Sequence, residues 1–247
     1  MLSETRFDMA KREWSEFFRT RLGKVLVRVG IVIGVLVLLL VCAYFAASKK
    51  PGFYRRFEAT DRAERKKLND EFVSRALAAY SQIQESGDWS LAVSDRQLNG
   101  WLSVDASSNL VQVFPPEIKS PRIAIHGDRM EMAAPVTYNT RSATLSATLH
   151  VVATIRVPEP GVVAVRLRSA KVGVYPFDRE KLVAILKDAL DKPGWNLEQS
   201  DEGGDPMLTF RPQIVIEKKY ELTVKSFETD DEGQCLITGS VTKAKRR

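Results

Sequence analysis

Residues 144–157 read TLSATLHVVATIRV, a run in which apolar and polar side chains alternate. A period of two is typical of a β-strand that has one face covered and the other in water. The face predicted to be covered carries Leu145, Ala147, Leu149, Val151, Ala153, Ile155 and Val157. One-sided strands suit antiparallel sheets, so the run predicts an antiparallel sheet at the centre of the fold.

Similar signals extend in both directions from this strand. Gly127–Asp128 separates two short alternating runs and predicts a hairpin. Further strand-like runs cover 163–168, 207–216, 220–227 and 234–241. Together these runs predict an antiparallel sheet of roughly six strands.

Three helices are predicted around the sheet. Residues 60–85 place apolar side chains at three- and four-residue steps, with Thr60 as the expected N-cap. Ser94 and Gln97 have the spacing of a capping box, which opens a second helix. Asp178 is the expected cap of a third helix that runs to about residue 190. The fold class is therefore α+β, with two or three helices packed on one face of the sheet.

Residues 29–47 form an uncharged apolar stretch near the N-terminus. At ~1.5 Å per residue it spans about 28 Å, which matches the ~30 Å hydrocarbon layer of a bilayer. A cleaved signal peptide would have a shorter apolar core and a short basic leader. Val41 before Cys42 is too large for lipoprotein processing. The stretch therefore predicts a single uncleaved transmembrane helix.

The charge distribution argues against nucleic-acid binding. The formal net charge is +6, but residues 48–67 carry +5 and residues 68–247 carry −2. Basic residues that flank a span are attracted to anionic lipid head groups. The numbers of basic residues before and after the span are similar, so the positive-inside rule does not favour a cytoplasmic N-terminus. The predicted orientation depends instead on the observation that long domains translocate largely regardless of flanking charge. We expect the N-terminus inside and the C-terminal domain outside the cytoplasm.

These signals divide the chain into four parts. Residues 1–28 form an N-terminal arm, expected to be cytoplasmic and either an amphipathic helix or a solvated tail. Residues 29–47 form the transmembrane helix, and residues 48–89 form a basic juxtamembrane segment and helix. Residues 90–247 form the α+β domain.

Motifs for catalysis, cofactor binding and metal binding are absent from the sequence. His126 and His150 lack metal-ligand spacing, and each is expected to be a surface side chain. The acidic residues around Gly203–Gly204 and before Gly233 are expected to supply turn chemistry. The sequence therefore predicts a protein that is not an enzyme and has no cofactor or metal.

Gly30 and Gly34 form a Gly-x-x-x-Gly pattern within the predicted span. Two small residues on one helix face allow a second helix to approach closely. This pattern predicts a homodimer through the transmembrane helix.

The run LAVSDRQLNGWL at residues 91–102 resembles a segment of small membrane-anchored bacterial proteins of the YpmS type. The order of elements over residues 90–190 is also similar. The resemblance implies a distant relation to tubular (BPI-like) lipid-binding domains, in which a curved antiparallel sheet wraps around a helix and holds acyl chains. The residues expected to line such a groove are Leu98, Trp101, Leu102, Leu145, Ala147, Leu149, Val151, Leu182 and Leu186.

Two functions are consistent with these features. The first is non-enzymatic lipid binding or lipid handling at the cell envelope, with membrane lipid as the partner. The second is a structural or assembly role, in which the helix at 60–85 or a sheet edge recruits another envelope protein.

Overall fold

The computed structural model describes residues 21–85, 87–104, 120–139, 144–190, 195–212, 214–216 and 220–243. The chain divides into two compact units, Met1–Ala46 and Ala47–Arg247. Most of the predicted N-terminal arm lies outside the described residues.

Helix α1 covers Arg21–Ala47 and so includes the whole stretch predicted to span a membrane. Its described apolar side chains are exposed from Ile33 to Leu39, with exposed fractions of 51% to 61%. Within the described part of the chain, no single helix combines the length and apolarity of a membrane span. Among the described residues, Ile33–Ala47 and Gly52–Glu58 combine them when the two are taken together as a bent pair.

Four of the described helices belong to the second unit: α2 (Gly52–Glu58), α3 (Arg62–Glu85), α4 (Asp95–Val104) and α5 (Arg179–Leu190). The capping box is confirmed, because the Ser94 N–H donates to Oε1 of Gln97 and the Gln97 N–H donates to Oγ of Ser94. The cap on α5 is also confirmed, because Oδ1 of Asp178 accepts from the Glu180 N–H.

The expected Thr60 cap on α3 is wrong by one residue. Oδ1 of Asp61 accepts the N–H of Glu64 at 2.8 Å. A carboxylate at this position accepts a hydrogen bond from one of the free N–H groups of the first turn and interacts favourably with the helix dipole. The helix therefore begins at Arg62.

Eleven strands are described: β1 (Asp88–Ser94), β2 (Arg122–His126), β3 (Arg129–Asn139), β4 (Thr144–Glu159), β5 (Val162–Val172), β6 (Tyr175–Pro176), β7 (Glu198–Glu202), β8 (Asp205–Phe210), β9 (Ile214–Ile216), β10 (Tyr220–Thr229) and β11 (Gln234–Lys243). The first sheet has the order β1-β11-β10-β9, and the second has the order β2-β3-β4-β5-β8-β7, with β6 on β5. Every described pair is antiparallel. The α+β class with antiparallel sheets is therefore confirmed.

The expectation of one six-stranded sheet is wrong, because the strands form two sheets. The run at 207–216 is two strands, with β8 paired to β5 and β9 paired to β10. Pro212 lies between them and has no N–H for a strand ladder. Backbone hydrogen bonds connect the sheets, from the Gly161 N–H to the Val224 carbonyl and from the Gly127 N–H to the Asp230 carbonyl.

Strand β4 covers the run at 144–157 as predicted, but its second face is not uniformly wet. Thr148 and Thr154 are buried although the alternation assigns them to the polar face. Thr148 Oγ1 lies 3.5 Å from the Ser48 carbonyl, and Thr154 Oγ1 accepts from Nε of Arg168. Both hydroxyls therefore have polar partners. The alternation of apolar and polar residues along one strand cannot predict those partners, because they lie elsewhere in the chain.

Helix α5 packs in one apolar cluster and helices α3 and α4 pack in another, so the expectation of helices on one face is wrong. The sheet-two cluster joins β4, β5 and β8 to α5 through Val151, Leu167, Ala170, Leu182, Val183 and Leu208. The α3–α4 cluster has Val93, Ile125 and Cys235 at its centre, with Phe72, Leu91, Leu98, Ile123, Met130 and Phe227 around them.

Candidate functional site

The residues predicted to line a lipid groove do not form one groove. Leu149, Val151, Leu182 and Leu186 belong to the sheet-two cluster, whereas Leu98 belongs to the α3–α4 cluster. They therefore contribute to two apolar cores on different elements.

Of the other groove candidates, Trp101 contacts the α3–α4 cluster through Phe72. The Trp101 ring lies 5.2 Å from the Phe72 ring, and Leu102 is buried on α4. Ala147 is half-buried on β4, and the side chain of Leu145 lies outside the described residues. The prediction of a single groove has no support in this arrangement.

Gly30 and Gly34, the predicted dimer residues, both lie in α1. A Cβ atom added at Gly34 would contact no heavy atom within 4 Å. This face of the helix therefore has room for a partner helix at position 34.

Asp205 at the start of β8 binds three arginines. Its Oδ2 accepts from Nε of Arg166 at 3.0 Å and from Nη1 of Arg168 at 3.2 Å, and its Oδ1 accepts from Nη1 of Arg179. Although desolvation acts in the opposite direction, these hydrogen bonds hold the pKa of Asp205 below its ordinary value. Because Arg179 belongs to α5, the cluster ties α5 to the second sheet.

The acidic turns were expected to supply turn chemistry, and this holds for two of their members. Oδ1 of Asp201 accepts the Gly204 N–H, and Oδ1 of Asp230 accepts the N–H groups of Glu232 and Gln234. The expectation is wrong for Asp205, because its three arginine partners come from distant parts of the sequence.

Asp95 lies at the edge of a cleft of about 460 Å³ that His126 and Glu64 also line. Burial raises the pKa of the Asp95 carboxyl, although backbone N–H groups of Arg96 and Ile125 oppose this effect. The Asp95 N–H also donates to the Gly233 carbonyl, which fixes the position of α4 against the β10–β11 turn. Asp95 therefore serves the packing of α4.

The two histidines differ in environment. His126 is exposed, as the sequence predicts. His150 is not a surface side chain, because only 17% of it is exposed and its Nε2 lies 2.9 Å from Oε2 of Glu131. The Phe53 ring of α2 packs against it at 5.8 Å. Within the described ranges, no group of three or more His, Cys, Asp or Glu side chains could hold a metal ion.

Two polar side chains, Asn69 of α3 and Arg122 of β2, are buried, which the sequence did not predict. Arg122 is 5% exposed and Asn69 is 7% exposed. In the part of the chain that the structure describes, Nε of Arg122 and Oδ1 of Asn69 have no hydrogen-bond partner. Asn69 had a sequence signal, because it shares helical spacing with Phe72, Ala76, Ala79 and Ile83 on the apolar face of α3.

Tyr54 of α2 is buried, and it interacts electrostatically with Arg122. Its hydroxyl donates to the Ser120 carbonyl at 3.1 Å, and the Lys50 ammonium lies 5.1 Å from the ring centroid. Lys50 also pairs with Glu58 at 2.7 Å. Tyr54 therefore fixes α2 to the residues just before β2.

No family model matches the chain, and the comparisons found no match among curated proteins or solved structures.

Proposed function

We propose that the chain is a single-pass, membrane-tethered, non-enzymatic lipid-binding domain of the cell envelope. In this proposal α1 is the anchor, the N-terminus is cytoplasmic, and the C-terminal domain lies outside the cytoplasm. The relation to YpmS-type proteins and to curved, tubular lipid-binding domains remains part of the proposal. It rests on the motif at residues 91–102.

The observation that carries the proposal is the succession of an exposed apolar helix and a basic segment. Seven consecutive residues from Ile33 to Leu39 are exposed, and all but Gly34 carry large apolar side chains, a state that water disfavours and a bilayer favours. Residues 48–67 then carry eight basic and three acidic residues. Each basic residue near an anionic membrane surface contributes roughly 1 kcal/mol of attraction.

The apolar groove is not required for this function. Because the predicted groove residues divide between two clusters, lipid contact through the head group fits the arrangement better than enclosure of an acyl chain. A membrane anchor keeps the domain at an effective concentration in the mM range relative to the lipid head groups. A weak, shallow contact with a head group is therefore enough for binding.

Photocrosslinking of the full chain in membranes tests lipid binding. Phospholipids that carry a photoactivatable head group are incorporated, and labelled peptides are mapped by mass spectrometry. Labels in residues 48–85 support the proposal, whereas labels confined to residues 29–47 contradict it, since an anchor alone would give them.

A structural or assembly role is the second candidate, and exposed apolar side chains favour it. Leu77 is 60% exposed on α3, with Val73 one turn away at 36%. Ile214 and Val215 are exposed on β9, which is an edge strand of the first sheet. A specific partner that is lost from pull-downs after Leu77→Glu substitution, together with an absence of lipid labels in the domain, would favour this role.

A further inference from the structure

Ser48, the residue that follows the predicted anchor, is hydrogen-bonded to the first part of strand β4. Its hydroxyl donates to the Ser146 carbonyl at 3.1 Å, and its carbonyl lies 3.5 Å from Oγ1 of Thr148. These partners are 98 and 100 residues away in the sequence, so the contacts belong to the tertiary fold. They fix the point at which the chain that leaves the anchor joins the domain, beside the beginning of β4.

The turn between β5 and β6 lies at the same end of β4. This turn covers 172–175 and is called the β5–β6 turn. The Gly173 N–H donates to the Thr148 carbonyl at 2.7 Å, and Val172 pairs with Tyr175 across the turn. Gly173 has a φ of 62°, which a glycine adopts without strain in a two-residue hairpin loop. Thr148 therefore contacts both the first residue after the anchor and the tip of the β5–β6 turn.

The β5–β6 turn presents apolar and aromatic side chains to its surroundings. Val174 is 48% exposed and Tyr175 is 46% exposed. Lys171 is exposed at the base of the turn, where it pairs with the exposed Pro176. Asp178, the first carboxylate that follows in the chain, is used to cap α5. Tyrosine is enriched at membrane–water interfaces, and lysine there extends its ammonium to the head groups.

A single exposed apolar residue has no special meaning, but the position of this turn does. The turn at the opposite end of the same strand pair lies roughly 33 Å away along β5. That turn exposes Glu159 and buries Val162. The apolar turn is therefore at the end of the β4–β5 pair that joins Ser48, and the polar turn is at the far end.

We propose that the β5–β6 turn inserts Val174 and Tyr175 into the interface of the bilayer from which the anchor emerges. Lys171 and Lys49, both exposed, then lie among the lipid head groups. A lipid surface is the occupant because only Ser48 separates the predicted span from the β4 residues that hold the turn. The inference rests on the proposed membrane tether and names the surface through which the domain meets lipid.

The test is fluorescence quenching of the full chain in vesicles of equal parts phosphatidylcholine and phosphatidylglycerol. Part of the phosphatidylcholine carries a spin label near the head-group end of its acyl chain. A small fluorophore is attached to Cys42 in the parent chain, since Cys235 is buried. In a Cys42→Ala background it is attached through Lys171→Cys, next to the β5–β6 turn, or through Glu159→Cys, at the opposite turn. We expect strong quenching at positions 42 and 171 and none at position 159.

Variants of the turn separate insertion from mere proximity to the anchor. Val174→Glu combined with Tyr175→Glu should reduce quenching at position 171 several-fold, because carboxylates are costly to move out of water. Val215→Glu, at an exposed apolar position of β9, is the matched control and should leave the quenching unchanged. Both changes are at exposed positions, so the melting temperature in detergent should stay the same. Val174→Leu combined with Tyr175→Trp keeps the apolar character and should retain the quenching even if the glutamate variant fails to fold.

Each other outcome overturns the proposal. Quenching at position 42 without quenching at position 171 removes the turn and leaves the anchor. Equal quenching at position 171 in the parent and in a folded glutamate variant shows proximity alone. Equal quenching at positions 159 and 171 contradicts a contact at one end of the domain. No quenching at any position removes the anchor and the turn together, whereas photocrosslinks in residues 48–85 without quenching at position 171 remove the turn and retain the proposed function.

Discussion

Asn99 of α4 pairs with the backbone of Ile123 through both polar atoms of its amide. Its Nδ2 donates to the Ile123 carbonyl at 2.6 Å, and its Oδ1 accepts the Ile123 N–H at 2.9 Å. Since β2 is an edge strand of the second sheet, the side chain takes the place of a neighbouring strand at this residue. Helix α4 therefore covers a sheet edge whose backbone groups would otherwise lack partners.

Asn99→Leu should lower the free energy of unfolding by ~1–3 kcal/mol, because it removes the partner of two part-buried backbone groups of Ile123. Asn99→Asp should also destabilise the protein, since a carboxylate cannot donate to the Ile123 carbonyl. Urea unfolding of the full chain in detergent, followed by tryptophan fluorescence, measures the change. Gln84→Leu, at an exposed position of α3, is the control. Equal stability of Asn99→Leu and Gln84→Leu would contradict the edge-covering role.

Gly100 permits the close approach of α3 and α4. A Cβ atom added there would lie 2.6 Å from Cβ of Leu68 and 2.8 Å from the backbone nitrogen of Asn69. Backbone atoms of a helix cannot move aside easily, so Gly100→Ala should destabilise the protein by ~1–3 kcal/mol. In Gly52→Ala the added atom meets nothing within 4 Å, and the change should be neutral or slightly stabilising. The same urea experiment checks both, and a harmless Gly100→Ala would show that the helices are further apart.

Asp205→Asn should destabilise the protein by ~1–3 kcal/mol at pH 7, since it weakens three charge-assisted hydrogen bonds. The folded pKa of Asp205 lies below its ordinary value of 3.8. The stabilisation is therefore fully present above about pH 4 and is lost as pH falls through the folded pKa. Unfolding curves between pH 7 and pH 3 should show the difference between parent and variant shrinking only at the acidic end. Asp188→Asn, exposed on α5, serves as control, and a difference that grows on acidification would refute this assignment.

Gly34→Leu should reduce dimer formation through α1 several-fold, because a large side chain prevents close helix approach. The substitution has room within one chain, so its effect reports on a second helix. Crosslinking by a bismaleimide through the exposed Cys42 measures the dimer, since Cys235 is buried. Val37→Leu on the same helix is the control, and an unchanged dimer in Gly34→Leu would sink the Gly-x-x-x-Gly interpretation.

Local features of the fold were predictable from the sequence because their causes are local. The Ser94–Gln97 capping box and the Gly127–Asp128 turn involve residues that are close together in the chain. Strand β7 could not be predicted, because its five residues are all exposed and lack apolar alternation. The two-sheet division depends on pairs such as Val163 with Phe210, which are distant in sequence.

The burial of Asn69 and Arg122 was only partly predictable. Asn69 interrupts the apolar face of α3, and a polar residue at such a position can be identified from spacing alone. The burial of Arg122 depends on the packing of α2 and its Tyr54 against β2, which no periodicity within residues 122–126 encodes. For the same reason the sequence could name apolar candidates for a groove but could not show that they divide between two clusters.

Native mass spectrometry of the chain released from its own membranes tests lipid binding most directly. We predict that the full chain retains one phospholipid after the detergent has been stripped in the gas phase. We also predict that a peptide of residues 1–47, treated identically, retains none. A bare full chain, or equal lipid retention by the full chain and the anchor peptide, would contradict the account.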